Sequence, residues 1–347
     1  MIRLAQLYTG GVGSEVVRRC AGHRQFELVA VMVHSAEKAG RDSGELVGGA
    51  PNGVVTTLSV DDVIAARPDA AIHSGLVFDV DLITTLLRAG INVYSGIGGF
   101  YLPHSADFDA IDGAARAGGV SFSAGGNIPG LISDALPLFV SGYTGKIRQI
   151  RARQANDSST YPSAVQIQML GIGMDPEAER AHSESVREIF GDIIRQPLQM
   201  VADGLGVELT SWSESEKRVA LAESRITLSP SGLVIEPGQV AGVEWTYTAC
   251  SGDQEFFKLT NQQTAALNLG PGWRETHDMP NWRVEIDGEP SIIAHFAWPS
   301  DAHPGESTHL LNVSRAMNTI PRVVAAPPGA VSVLDFPAPV AADGVVA

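Results

Sequence analysis

The segment Tyr8-Thr9-Gly10-Gly11-Val12-Gly13 lies between an apolar run, IRLAQLY, and a helical pattern around Ser14–Cys20. A dinucleotide-binding turn uses three glycines: one for the bend, one for close approach to a pyrophosphate and one for helix–strand packing. Gly10 and Gly13 stand at the second and third of these positions, and a tyrosine stands at the first. Tyr8 must then adopt a backbone conformation suited to a bulky residue, or cover the ligand with its ring. The competing reading is a plain turn between strand and helix. The surrounding strand–helix series favours a cofactor cradle formed by residues 8–13.

The end of the next apolar run, FELVAVMVH, refines that reading. Selectivity for NAD(H) ordinarily places an acidic residue there to hold the ribose 2′-hydroxyl. This chain has His34 and Ser35, followed by Lys38 and Arg41. A hydroxyl and two cations suit a 2′-phosphate. NADP(H) is therefore favoured over NAD(H). A solvated polar loop is the alternative, and Glu37 could still serve a ribose hydroxyl.

Hydride transfer to C=O or C=N needs a proton donor for the charge left on O or N. Tyr101 and His104 occur together in GGFYLPH, just after an apolar run. They are the candidate donors, against roles in packing and in a surface loop. His73 and Ser74 close another run, where they would flank the cofactor; His73 could equally be an interior histidine. Gly96 closes INVYSG in the same manner. Asp157 and Tyr161, in NDSSTY, are candidate substrate contacts, against a capped turn.

These positions require a scaffold. Short apolar runs alternate with helical patterns over residues 1–145: IRLAQLY, FELVAVMVH, GVVTT, DAAIHSG, INVYSG and GVSFSA. That alternation predicts an α/β domain with a Rossmann-like, doubly wound parallel sheet. Its ligands bind at the carboxyl ends of the strands, where the residues above lie. A helix is expected around Pro129–Val140. After Tyr143 the pattern changes. Residues 176–204 read as helix. KIRQIRARQA, VELTSW, RITLS, LVIEP, VEWTYTA, FFKLT, WRVEID and SIIAHFA read as strands of a mostly antiparallel sheet, giving an α+β substrate domain. A helix over STHLLNVSRAMNTI follows. The domains expected are 1–145, completed by 300–336, and 146–299 for substrate binding and dimerisation.

The bulk properties narrow the function. The 347 residues carry a formal charge of −15, which argues against nucleic acid and anionic membranes as partners. The two cysteines, Cys20 and Cys250, are far apart and suit a reducing compartment. No run is long enough for a membrane span. A cytoplasmic protein with a small-molecule substrate is expected. His182, His277, His295, His303 and His309 show no metal-ligand spacing, so no metal is expected. Trp245, Trp273, Trp282 and Trp298 suit core or interface positions better than a pocket.

Four stretches carry a family resemblance: AQLYTGGVGSEVVRR, VHSAEKAGRDSGEL, FSAGGNIPGLISDALPLFVSG and RAMNTIPRVVAAPPG. The chain resembles the dihydrodipicolinate reductase-like oxidoreductases, on the branch of 2,4-diaminopentanoate dehydrogenase and the native amine dehydrogenases. The resemblance implies an NAD(P) domain completed by a C-terminal segment, a homodimer, and reduction or formation of a C=N or C=O bond. It places Gly126, Asn127 and Pro129 beside the nicotinamide. Two departures stand out. Where that branch typically has Cys-Glu-Glu-Leu, this chain has Ile97-Gly98-Gly99-Phe100, so the acid/base glutamate is missing. The loop Gly-x-Asn-Pro-Gly-Phe appears as Gly126-Asn127-Ile128-Pro129-Gly130-Leu131. Gly98, Gly99 and Phe100 are expected to leave room for a substrate. The leading reading is an NADP(H)-dependent oxidoreductase of amine or imine chemistry. Ketone or alcohol oxidoreduction, with Tyr101 or His104 as donor, and a nonenzymatic NADP(H) sensor are the alternatives.

Overall fold

A computed structural model describes residues 1–161, 163–229, 231–275, 282–297 and 304–342. The chain divides into two compact units, Met1–Gly130 with His309–Ala347, and Leu131–Thr308.

In the first unit the order is β1 (Ile2–Leu7), α1 (Gly11–Cys20), β2 (Phe26–Met32), α2 (Ser43–Leu46), β3 (Thr56–Thr57), α3 (Val60–Ala65), β4 (Ala70–His73), α4 (Val80–Arg88), β5 (Asn92–Ser95), α5 (Phe108–Gly118) and β6 (Ser121–Ala124). The strands are short apolar runs flanked by helix caps. The Ser59 hydroxyl accepts from the amides of Asp61 and Asp62 to start α3, and the Asp79 carboxylate accepts from Leu82 N–H to start α4.

The second unit contains α6 (Ala135–Ser141), β7 (Gly145–Asp157), α7 (Ala164–Met169), α8 (Pro176–Gly204), β8 (Ser211–Leu221), a small hairpin of β9 (Ile226–Thr227) and β10 (Val234–Ile235), β11 (Val240–Ser251), β12 (Gln254–Thr264), β13 (Trp282–Glu289) and β14 (Ile292–Phe296). The chain ends with α9 (Pro304–Ala325) and β15 (Gly329–Ala330).

The first unit holds a seven-stranded sheet in the order β15-β6-β5-β4-β1-β2-β3, and every pairing in it is parallel. The order reverses between β1 and β4, the point where open α/β sheets bind ligands. Residues one apart on a strand enter different cores. Ala5, Leu7, Ala71 and Val93 pack with Ile83, Leu86, Leu87 and Ile111 from α4 and α5. Leu4, Ile72 and Tyr94 pack with Val16 of α1 and with Val313, Ala316, Met317 and Ile320 of α9. The sheet is covered on both faces, so it is doubly wound as expected. Cys20 lies in the second of these cores, and burial pushes its thiol up to about 12.

The sheet of the second unit runs β14-β13-β7-β12-β11-β8. Only its β7–β12 pairing is parallel, so the mostly antiparallel expectation holds. Three expectations need correction. The strand placed at VELTSW begins at Ser211 and runs through SESEKR to Leu221. It pairs on one side only, and charged residues on an unpaired edge face water and discourage association. RITLS and LVIEP form the separate two-stranded hairpin. The helix expected around Pro129–Val140 starts at Ala135, because residues 127–134 form turns and the Asp134 carboxylate caps the Ala135 amide. Among the described residues no helix is long and apolar enough to cross a membrane.

Candidate functional site

The carboxyl ends of β1, β2, β4, β5 and β6 gather the candidate residues of the first unit. Tyr8 has φ 72°, in the left-handed region that glycine adopts freely. The expectation of a conformation suited to a bulky residue is therefore wrong: tyrosine takes the glycine conformation. That costs about 1–2 kcal/mol for an L-residue. The ring compensates by packing edge-on to His34 and His73, with centroids 6.0 and 5.8 Å away. Burial raises the Tyr8 phenol above its ordinary range, and the nearby Asp79 charge adds to this. The bare α-carbon of Gly75 is needed beside this ring, since a Cβ there would stand 3.0 Å from it.

Gly13 fits the packing role. A Cβ on it would lie 2.0 Å from the Tyr8 carbonyl oxygen, a backbone collision. Gly10 fits the close-approach role, with no atom within 4 Å of its Cβ position. Gly10 is also the N-cap of α1 and has no side chain to satisfy the helix amides. Gly10 and Gly11 are exposed while Gly13 is buried. An open backbone, a free helix start and a blocked third glycine match the shape of a pyrophosphate cradle.

Gln6 was missed by the sequence reading. It is fully buried, and its Nε2 donates to Leu7 O (2.8 Å), Tyr8 O (2.9 Å) and Ser74 Oγ (2.6 Å). It braces the turn against the end of β4, and Ser74 is the other half of that brace. Its only signal in the sequence is a polar residue inside an apolar strand.

The Lys38 ammonium lies 3.4 Å from both Thr9 O and Thr9 Oγ1, so the β2 loop meets the glycine turn. Val12 is the second residue of α1 and packs against the core that α1 shares with α9. Ser35 precedes the short turn of Ala36–Lys38 and makes no side-chain cap bond. Arg41 and His34 are exposed. The carboxylate of Asp42, next to Arg41 in the chain, accepts from the amides of Gly44, Glu45, Asn52 and Gly53.

His73 is fully buried and, among the described residues, neither ring nitrogen has a hydrogen-bond partner. Burial lowers its pKa, opposed by the charge of Asp79, so the neutral ring is favoured. A buried imidazole with two unused nitrogens is expensive unless something binds it.

After β5, the Ser95 hydroxyl accepts from Ile97 and Gly98 N–H and folds the loop back. Gly96 is exposed, whereas Gly98, Gly99 and Phe100 are buried. A Cβ on Gly98 or Gly99 would lie 2.7 Å from the ring of Phe78, and one on Gly99 would lie 2.8 Å from Phe122. The room expected for substrate beside these two glycines is filled by those rings. Tyr101 is buried, His104 is exposed, and their rings lie 6.1 Å apart.

Beyond β6, Gly126, Asn127 and Pro129 are buried, with Pro129 in a cis peptide. Asn312 of α9 reaches this loop, its Oδ1 3.0 Å from the Cβ position of Gly126. In the second unit, Asp157 caps a short turn by accepting from Ser159 N–H at 2.9 Å. Tyr161 packs among Ile167, Ile172 and Leu228. Burial pushes its phenol up to about 12, aided by the Asp157 charge and opposed by a bond with Ser158. His277, His303 and Trp298 lie outside the described residues. Trp282 donates Nε1–H to Asn156 and stacks on Phe296, a core role.

Residues 131–347, more than half of the chain, match the family model of the 2,4-diaminopentanoate dehydrogenase C-terminal domain. The chain is 30% identical to an amine dehydrogenase of Streptomyces virginiae, covering 95% of this chain and 94% of that one. It is 26% identical to the 2,4-diaminopentanoate dehydrogenase of Acetoanaerobium sticklandii, covering 86% and 80%. In fold it is similar to the amine dehydrogenase of Mycobacterium smegmatis, with a TM-score of 0.80 at 20% identity over 98% and 97% of the two chains. With a glycine-rich turn beside the reversal point of a parallel sheet and these relatives along nearly its whole length, the chain belongs to the 2,4-diaminopentanoate dehydrogenase family and is an NAD(P)-dependent oxidoreductase.

Proposed function

We propose that the protein interconverts an amine and its C=N form in a small organic molecule, with NADP(H) preferred to NAD(H). The cradle at Gly10, with open space before an uncapped helix start, is the observation that carries the cofactor assignment. Nicotinamide bound there would supply or accept the hydride. The α1 amides would hold the pyrophosphate, and Lys38 and the exposed Arg41 would face a 2′-phosphate. His73 would offer a ring N–H to the cofactor, which accounts for its unused nitrogens. The relatives named as amine dehydrogenase and 2,4-diaminopentanoate dehydrogenase support amine chemistry. Tyr101 beside His104 would hold the proton that the absent glutamate holds elsewhere in the branch. Titration with NADPH and with NADH, followed by nicotinamide fluorescence, tests the cofactor. NADPH should bind at least tenfold tighter; equal affinities would refute the Lys38 and Arg41 assignment.

A second reading is ketone or alcohol oxidoreduction. Its specific support is that positions 98 and 99 are glycines whose surroundings are filled by Phe78 and Phe122, so neither position offers a carboxylate with which to activate ammonia. Turnover of a ketone that does not require ammonia would favour it. The protein is further proposed to act as a homodimer through region 207–297, which size-exclusion chromatography with light scattering would test.

A further inference from the structure

The turn after β1 is held from beneath by one side chain. Gln6 is fully buried, on a strand whose residues Ala5 and Leu7 to either side are apolar and fully buried too. Its Nε2 faces three acceptors, Leu7 O, Tyr8 O and Ser74 Oγ, and two of them are backbone carbonyls. Its Oε1 is buried with no partner among the described residues. A buried acceptor left unpaired costs stability, so packing alone does not account for a glutamine here. The donated bonds fall on the residue that most needs holding. Tyr8 sits at φ 72°, a conformation that an L-residue disfavours. Its N–H donates to Met32 O at 2.7 Å and its carbonyl accepts from Gln6, so both of its backbone polar groups are tied. The Tyr8–Thr9 peptide is trans. In a trans peptide the C=O and the following N–H point opposite ways, so the inward Tyr8 carbonyl turns the Thr9 amide away from Gln6.

We infer that Gln6 is a positioning residue for the cofactor: its amide holds the Tyr8–Thr9 peptide in the shape that the glycine turn needs to receive a pyrophosphate, against the preference of a tyrosine for other backbone conformations. This rests on the cofactor site proposed above and assigns to it a residue outside the glycine motif. Gln6 touches no ligand; it acts through Tyr8. Without the brace, a tyrosine at this place falls back toward the conformations it prefers. The turn is then competent for only a fraction of the time, and apparent affinity falls by that fraction. A glycine reaches positive φ about as readily as negative φ, so at position 8 it would need the brace far less. The effects of the two residues are therefore coupled. The pyrophosphate is common to NADPH, NADH and ADP-ribose, so the brace predicts one factor for all three, unlike Lys38 and Arg41, which act on the 2′-phosphate alone.

The test is a double-mutant cycle on the purified full chain, titrated with NADPH, NADH and ADP-ribose by calorimetry. Gln6→Met keeps the length of the side chain and removes its donors. It should weaken all three ligands by a similar factor, on the order of tenfold. In the Tyr8→Gly background the same change should weaken them by no more than about twofold. A residue that only filled the core would cost the same in both backgrounds. Equal factors in the two backgrounds, wild-type affinities in Gln6→Met, or a loss confined to NADPH would overturn the role of Gln6 alone. If Gln6→Met fails to fold, the double variant decides: recovery of fold and binding shows the coupling, and no recovery overturns it. A wild-type chain that binds none of the three would instead overturn the cofactor site on which the inference rests.

Discussion

The Tyr8 carbonyl oxygen and the α-carbon of Gly13 approach so closely that a Cβ on Gly13 would stand 2.0 Å from that oxygen. The same oxygen accepts from Gln6 Nε2 at 2.9 Å, so it cannot simply swing aside. Gly13→Ala should destabilise the fold by about 1–3 kcal/mol, the usual range for overpacking, and weaken cofactor binding with it. A urea melt beside a cofactor titration checks both. An alanine variant of wild-type stability would show that the turn relaxes more easily than this geometry allows.

Tyr8 occupies a glycine conformation at φ 72°. Tyr8→Gly should relieve about 1–2 kcal/mol of backbone strain while losing the ring packing on His34, His73 and Gly75. The net change in stability should stay within about 1 kcal/mol, and cofactor binding should persist. Loss of binding would mean that the ring itself forms part of the cofactor surface.

Lys38 leans on Thr9, and Arg41 is exposed beside a carboxylate already occupied by backbone amides. The double variant Lys38→Ala/Arg41→Ala should lose NADPH affinity by roughly tenfold or more and leave NADH affinity nearly unchanged. Parallel titrations read the ratio. An equal loss for both cofactors would place the two cations on the pyrophosphate instead.

Gly98 and Gly99 are pressed against Phe78 and Phe122. Gly98→Glu should therefore cost about 1–3 kcal/mol of stability and bring no ammonia-dependent turnover. Gain of such turnover in a well-folded variant would show that the ring of Phe78 yields to a carboxylate at that position.

Burial lowers the pKa of His73 in the folded protein, against the smaller opposing effect of Asp79. The unfolded chain then takes up this proton first as pH falls below about 6.5. Stability held above that value is lost as pH drops toward the folded pKa. Urea midpoints should fall between pH 7.5 and pH 5, and by less in His73→Leu. At neutral pH that variant should keep the fold but bind cofactor more weakly, because it removes nitrogens that have no partner among the described residues. A midpoint equally pH-dependent in the variant would assign the effect to other groups.

Much of the architecture was legible because its signals are local. Runs such as IRLAQL and AAIH send apolar residues to both faces because helices cover both faces of the sheet, and Gly10 and Gly13 lie where a strand meets a helix. Tyr101 and His104 are neighbours in one loop, and their rings lie 6.1 Å apart. The edge strand β8 was misplaced because Ser, Glu and Lys have little strand preference of their own, and its pairing with β11 overrides that. By itself, then, the sequence determined the strand–helix alternation, the turn at the end of β1 and the polar cluster after β2, all of which depend on residues adjacent in the chain. Tertiary structure alone decided that Phe78 and Phe122 fill the space beside Gly98 and Gly99, that Tyr161 is enclosed by Ile167 and Leu228, that His309 packs against Gly11 at the start of α1, and that Asn312 reaches the loop after β6. Those contacts join residues from different elements, several of them far apart in the chain, and the packing of one element on another carries no periodicity for a local reading to detect.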